Sequence, residues 1–155
     1  MKHLAILATL LCGALILPAA TFAASAKHSE PTEATQAAEP VDKVVYHIND
    51  ASIARIALRN IENHLDASPG VKIVVVTHGK GIDFLLNDAK DDKGAFEPQV
   101  AGLRDRGVTF DVCRNTLKGR KLDDSAVIME AQVVPSGVAE IGRLQAREGY
   151  VYLKP

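Results

Sequence analysis

VKIVVVTHGKG, residues 71 to 81, is the stretch whose reading decides the fold. Ile73 to Val76 is an unbroken run of β-branched apolar residues, preceded by the turn-forming Ser68-Pro69-Gly70 and closed by Thr77, His78 and Gly79. A short apolar run between turn signals marks a strand covered on both faces, which is the situation of a strand inside a parallel sheet.

The flanking segments fit such a sheet. On the amino-terminal side, KVVYHI (43–48) is a strand candidate. It is followed by NDASIARIALRNIENHLDA, where Ile53, Ile56, Ala57, Ile61 and Leu65 fall at helical spacing and Asn49, Asp50 or Ser52 caps the start. On the other side, IDFLLND (82–88) predicts a short helix, DAKDDKGAFE (88–97) a charged loop, and PQVAGLRDRG (98–107) a helix ending at Gly107. VTFDV (108–112) is a third strand and CRNTLKGRKL (113–122) opens a short helix. AQVV (131–134) is a fourth strand; VAEIGRLQARE (138–148) is a helix with Val138, Ile141 and Leu144 on one face; YVYLK (150–154) closes the chain as a strand. Strands alternating with helices predict the α/β class, a three-layer α/β/α domain around a mostly parallel sheet of about five strands. The third strand sets Thr109 and Asp111 against Val108, Phe110 and Val112, which leaves it either a subunit contact or an edge position.

The 155 residues are 47 % hydrophobic and 24 % charged, ordinary for one globular domain. Aromatic content of 5 % without Trp argues against an aromatic-rich sugar or nucleic-acid surface, and a formal net charge of -1 argues against nonspecific nucleic-acid binding. The start, MKHLAILATLLCGALILPAATFAASA, has the layout of a secretory signal: Lys2, an apolar run from Leu4 to Leu17, Pro18, then small residues. Cleavage after Ala23, Ala24 or Ala26 fits; the alternative, an uncleaved anchor, would need a longer apolar run. The expected organisation is a signal over 1–24, a flexible leader over 25–42 and a domain over 43–155, located in the periplasm with no membrane span after cleavage. Losing the signal removes Lys2 and Cys12. That leaves 17 Lys and Arg against 19 Asp and Glu, a net charge of -2, and Cys113 as the remaining cysteine. An exported chain with one cysteine makes no internal disulfide, so the thiol is buried and inert, paired with another molecule, or reactive.

Ligand sites in open parallel sheets form beyond the carboxyl ends of the strands. The rule selects His47, Asn49 and Asp50; Thr77, His78 and Gly79; Cys113; and Pro135, Ser136 and Gly137. Cys113 stands where a strand gives way to a helix, and backbone N–H groups there favour an anion. Arg114 adjoins it and Lys118 follows one turn on, each favouring thiolate. The plainer alternative is a small buried residue at a helix start. His78 suits a hydrogen-bond donor, a proton shuttle or a ligand guide, and equally a capping or core histidine. His47, inside an apolar strand, reads as structural, and His64 as solvating or capping its helix. Asp50 reads as an N-cap, and Asn115 and Thr116 as ordering the helix after Cys113. Ser136 lacks a Gly-x-Ser-x-Gly elbow and reads as a cap at the rim. HGKG is too short for a phosphate loop, and no Cys/His cluster has zinc spacing, so neither metal nor organic cofactor is expected.

Together VVYHIND (44–50), VVVTHGKGIDFLLND (74–88), FDVCRNTLKGR (110–120) and VVPSGVAEIGRLQAREGYVYLKP (133–155) resemble the DsrE/DsrF-like family over nearly all of residues 43 to 155. The resemblance implies an α/β/α domain assembled as a homotrimer or homohexamer. It further implies a place in sulfur-relay chemistry, in which a cysteine after the third strand takes sulfane sulfur as a persulfide and passes it to a partner; Cys113 matches that position. The implied partners are a sulfur donor and acceptor thiol proteins or small sulfur species. Two features depart from the well-studied carriers: the chain looks exported, and it holds no second cysteine to resolve an intermediate. The expectation is a periplasmic persulfide carrier with Cys113 and His78 in the chemistry and Asn49, Gly79, Arg114, Asn115 and Ser136 around the pocket. The competing expectation is a non-catalytic oligomeric binding or scaffold module of the same fold; a hydrolase using Ser136 or His78 lacks a base–nucleophile–orienter set.

Overall fold

The structure, a computed structural model, describes residues 41–155. The expected signal and the leader up to residue 40 lie outside the described residues. Strand β1 (Lys43–Asp50) leads through a 3-10 turn into helix α1 (Ala54–Ala67), then β2 (Lys72–Lys80). A small ribbon, β3 (Lys90–Asp91) and β4 (Gly94–Ala95), precedes α2 (Glu97–Asp105). Next come β5 (Thr109–Cys113), α3 (Arg114–Gly119), β6 (Gln132–Val134), α4 (Gly137–Glu148) and β7 (Val151–Leu153). The main sheet has the order β6-β5-β2-β1-β7, and each of its pairings is parallel. The expected five-stranded parallel sheet with helices on both faces is what forms. β2 takes the central place, and Ile73, Val74, Val75 and Val76 are all buried.

The two faces are covered unequally. Val44, Tyr46 and Ile48 of β1, Ile73 and Val75 of β2, and Phe110 and Val112 of β5 point into one large cluster. Ala54, Ala57, Leu58 and Ile61 of α1, Val100 and Leu103 of α2, and Leu117 of α3 close over it. On the other face Val45, Val74 and Val76 meet Ile141 and Leu144 of α4, with Tyr150 alongside. The alternation follows from the two-residue period of a strand.

Several local expectations are corrected. Ile56 is 52 % exposed, because the face of α1 that meets the sheet runs through Ala54, Ala57, Leu58 and Ile61. Val138 is 66 % exposed; α4 turns Gly137, Ile141 and Leu144 inward instead. Residues 82–88 form no true helix but a 3-10 turn at Asp83–Leu85, which lets Phe84 and Leu85 enter the core. The charged loop is the ordered β3–β4 ribbon, held by Arg55. Its guanidinium pairs twice with Asp91, at 2.9 and 3.0 Å, and lies 3.9 Å from the Phe96 ring centre. β5 is neither an edge strand nor an open contact face, since β2 and β6 flank it and α4 packs over Asp111. His64 has a defined partner, the Tyr46 hydroxyl at 3.0 Å from its Nδ1. Among the described residues no helix is long and apolar enough to cross a membrane.

Candidate functional site

β2, β5 and β6 end side by side, and the parallel register brings their last residues to one rim. Val112 pairs with Thr77 on one side and with Val133 on the other, and Cys113 pairs with Val134. Cys113 is the last residue of β5 and the N-cap position of α3. The segment after β6 turns at Pro135 and starts α4 directly above the same point. Ser136 caps α4 by accepting from the Ala139 N–H at 3.4 Å. Gly137 presses so closely that a Cβ there would lie 3.1 Å from the Thr77 carbonyl oxygen and 3.2 Å from the Cys113 Cβ. A side chain at 137 would push the start of α4 off Thr77 and Cys113 by a few tenths of an ångström, so glycine keeps the helix start close to the thiol.

Two helix starts therefore converge on one thiol. Burial pushes the Cys113 thiol up. The backbone N–H of Gly137, the hydroxyl and N–H of Thr116 and the N–H of Asn115 outweigh it, and the net direction is down. Donors that stabilise the charged form of a sulfur favour thiolate. Thr116 is itself aligned. The Gly79 N–H donates to its Oγ1 at 3.1 Å, which fills an acceptor position of the hydroxyl and leaves its proton for the sulfur. Gly79 reaches that pose with φ +58, in the left-handed region that favours glycine.

The expected site residues divide accordingly. Cys113, Asn115 (through its backbone), Gly79 (through Thr116) and Ser136 (through the start of α4) come together. Asn49 lies at the neighbouring end of β1, where its carbonyl oxygen is 3.6 Å from the place a Gly79 Cβ would occupy. Arg114 does not turn to the sulfur. It pairs with Asp124 at 2.6 Å, and Lys118 also bears on that carboxylate. The polarisation expected from these two cations comes instead from the backbone N–H groups of Gly137, Thr116 and Asn115 and from the Thr116 hydroxyl. The thiol is also less open than expected, at 5 % exposed, and its surroundings at the rim are N–H and hydroxyl donors.

His78 lies on the α4 side of β2, one residue past Thr77, as Cys113 lies one residue past its partner Val112 on β5, where the recorded pairing of the two strands ends. Adjacent strands run about 4.8 Å apart. Its Nε2 is 2.7 Å from Nε2 of His47 on β1, and the rings are 4.6 Å apart between centres. His47 Nδ1 in turn lies 2.8 Å from the Tyr152 hydroxyl on β7. Burial, with help from His78 and Lys154, lowers the pKa of His47. His47, read as structural from sequence, thus faces the rim rather than the core.

Behind Cys113 on the same face, Asp111 is 1 % exposed and accepts from Gln132 Nε2 at 2.8 Å. Burial pushes its carboxyl up to about 6; Gln132 and Arg143 oppose the rise and Glu140 adds to it. The sequence reading placed Gly137 on the rim but missed its close approach to Cys113, and it missed Tyr152, Asp111 in its buried state, and Thr116 as a sulfur donor. The alternation of β5 held a signal for Asp111, because Asp111 and Cys113 must share a face.

Among the described residues no group of three His, Cys, Asp or Glu side chains is placed to hold a metal ion. A cleft of about 380 Å³ runs along α4 from Pro135 and Ser136 to Ala146 and Arg147, starting at the rim. Another, of about 300 Å³, lies at the opposite end of the strands between Gly107, Thr109 and Met129, away from the thiol.

The comparisons agree with this architecture. The model of the DsrE/DsrF-like family matches residues 42–155. A solved structure of a protein of unknown function from Methanobacterium thermoautotrophicum is 31 % identical, with a TM-score of 0.67, over 74 % of this chain and 99 % of that chain. A search of curated proteins found no match. With the family model spanning the whole described fold and the strand-end cysteine seated where the sheet topology gathers its rim, the chain belongs to the DsrE/DsrF-like family.

Proposed function

We propose that this protein is an exported persulfide carrier that uses Cys113 alone. The observation that carries the reading is the convergence of the Gly137, Asn115 and Thr116 donors on a single sulfur, with burial outweighed. A buried thiol held only by packing has no need of such donors, whereas an anion does. Family membership supports a sulfur-relay setting. The segment 1–24 supports export, and a homotrimer or homohexamer is the assembly the family leads us to propose.

The Cys113 thiolate attacks the outer sulfur of a donor R–S–SH. The new bond joins Cys113 Sγ to that sulfur, the old S–S bond breaks, and RS⁻ leaves and takes a proton. The product is Cys113–S–SH, with no net oxidation. An acceptor thiolate then repeats the attack on the outer sulfur and regenerates Cys113. Because the chain holds no second cysteine after signal removal, the sulfur leaves to another molecule.

The test is intact mass after incubation with polysulfide or thiosulfate. Wild type gains sulfur in steps of one atom, and Cys113→Ala gains none; equal gain by both, or none by wild type, rejects the carrier.

The 5 % exposure of Cys113 favours a second reading, a non-catalytic oligomeric binding or scaffold module in which the thiol is packing. A maleimide reaction that is slow in the native protein and released only by denaturant identifies that version.

A further inference from the structure

We propose that Tyr152, His47 and His78 form a proton relay across the rim, in which His78 protonates the departing thiolate and His47 and Tyr152 are positioning residues. The inference rests on the carrier reading and extends it to three strands.

The placement comes from the register. Val45 pairs with Tyr152, Thr77 pairs with Val112, and His47 pairs with Val76, so Tyr152, His47, His78 and Cys113 follow one another diagonally over β7, β1, β2 and β5. All four belong to the α4 face. Consecutive heteroatoms are 2.8 Å apart from the Tyr152 hydroxyl to His47 Nδ1 and 2.7 Å apart from His47 Nε2 to His78 Nε2. Two imidazole nitrogens at that separation share a single proton. The chain therefore has two polarities. In one, the tyrosine hydroxyl donates to His47 Nδ1, His47 Nε2–H donates to His78 Nε2, and the His78 proton sits on Nδ1. In the other, every donor and acceptor is exchanged.

Switching between the two moves one proton along the row. When RS⁻ leaves, His78 Nδ1 gives up its proton to form RSH. His78 Nε2 then takes the proton from His47 Nε2, His47 Nδ1 takes one from the Tyr152 hydroxyl, and solvent restores the tyrosine. Tyr152 is 40 % exposed, which places the outer end of the row in water, while His78 ends the row on the strand next to that of Cys113. The charged groups around the row are Lys154 beyond β7, Asp50 and Lys80 at the ends of β1 and β2, and Asp111 beneath Glu140 and Arg143 of α4. Burial first, then His78 and Lys154, disfavour a positive charge on His47.

The experiment uses the full mature chain in two arms. In the first, histidine side-chain nitrogen NMR reads the tautomers and the coupling across the Nε2–Nε2 bond without any sulfur chemistry. Wild type shows the coupling, and Tyr152→Phe, which keeps the ring, shifts the tautomer balance of both His47 and His78. No coupling, or tautomers unchanged in Tyr152→Phe, overturns the relay even if the protein carries sulfur. In the second arm, the rate of sulfur delivery from a small persulfide is measured against pH in H2O and D2O. Tyr152→Phe and His47→Gln each slow delivery about tenfold and move the pH profile, and His78→Gln slows it about a hundredfold with the solvent isotope effect lost. Profiles and isotope effects identical to wild type overturn the proposal. Loss of sulfur uptake by wild type itself rejects the carrier reading, and the first arm still decides the relay.

Discussion

The two faces of the central sheet differ in kind. One is a thick apolar layer: Tyr46, Ile48, Ile73, Val75, Phe110 and Val112 lie under α1, α2 and α3. The other has one helix, α4, over Val45, Val74 and Val76, and beside these it carries His47, His78, Asp111 and Cys113. The same strands build both faces, so the difference lies only in which of two alternating positions is polar. The comparison teaches that the thick face sustains the fold while the thin face can hold ionisable groups at the strand ends.

Replacing Phe110 by Ala breaks the comparison most severely. The ring is 1 % exposed in the thick layer, and loss of a buried Phe costs about 3–5 kcal/mol. Urea unfolding checks the value; a cost near 1 kcal/mol would mean that this face is not the main support.

Asp111→Asn tests the thin face. The folded carboxyl titrates near 6, above its ordinary 3.8, so the folded state binds the proton more tightly than the unfolded chain. This group contributes full stability below about pH 4, and its contribution falls as pH rises from about 4 to 6. The difference of about two pH units corresponds to about 3 kcal/mol. Asp50, Asp91 and Asp124 have lowered values and act in the opposite sense, so the quantity to measure is wild type minus variant. Urea midpoints at pH 4, 5 and 6.5 show wild type losing ground to Asp111→Asn across that window.

The finest distinction is between the groups that touch the sulfur and those that merely stand near it in sequence. Thr116→Val removes the hydroxyl donor and raises the thiol pKa, read as thiolate absorbance against pH, while Thr116→Ser restores it. Arg114→Ala leaves that titration where it is and moves the urea midpoint little, because Arg114 spends its charge on Asp124 at the surface.

β2 was legible as a strand covered on both faces because Ile73 to Val76 is apolar at every position, whereas the order of the strands around it was not. The role of Asp50 was legible for a local reason: a capping side chain reaches a backbone N–H two residues on, here Ser52 at 2.9 Å. The faces of α1 and α4 were misread at Ile56 and Val138, since spacing names a stripe but not which edge of it meets the sheet. The cations after Cys113 were misassigned for a related reason. Sequence adjacency placed Arg114 beside the sulfur, yet on a helix the next side chain points away from its neighbour's, here toward Asp124.

By itself the sequence determined the alternation of strands and helices, a strand covered on both faces, and the cysteine at the end of β5, because these depend on periodicity and on turn residues within a few positions. Tertiary structure alone decided that Gly137, 24 residues downstream of Cys113, sets a second helix start on the same sulfur. It alone aligned Tyr152, His47 and His78, residues drawn from three strands and up to 105 positions apart. Such groupings arise from parallel register and the close approach of a helix that lacks a Cβ at its first residue, and neither is written in any local stretch of the chain.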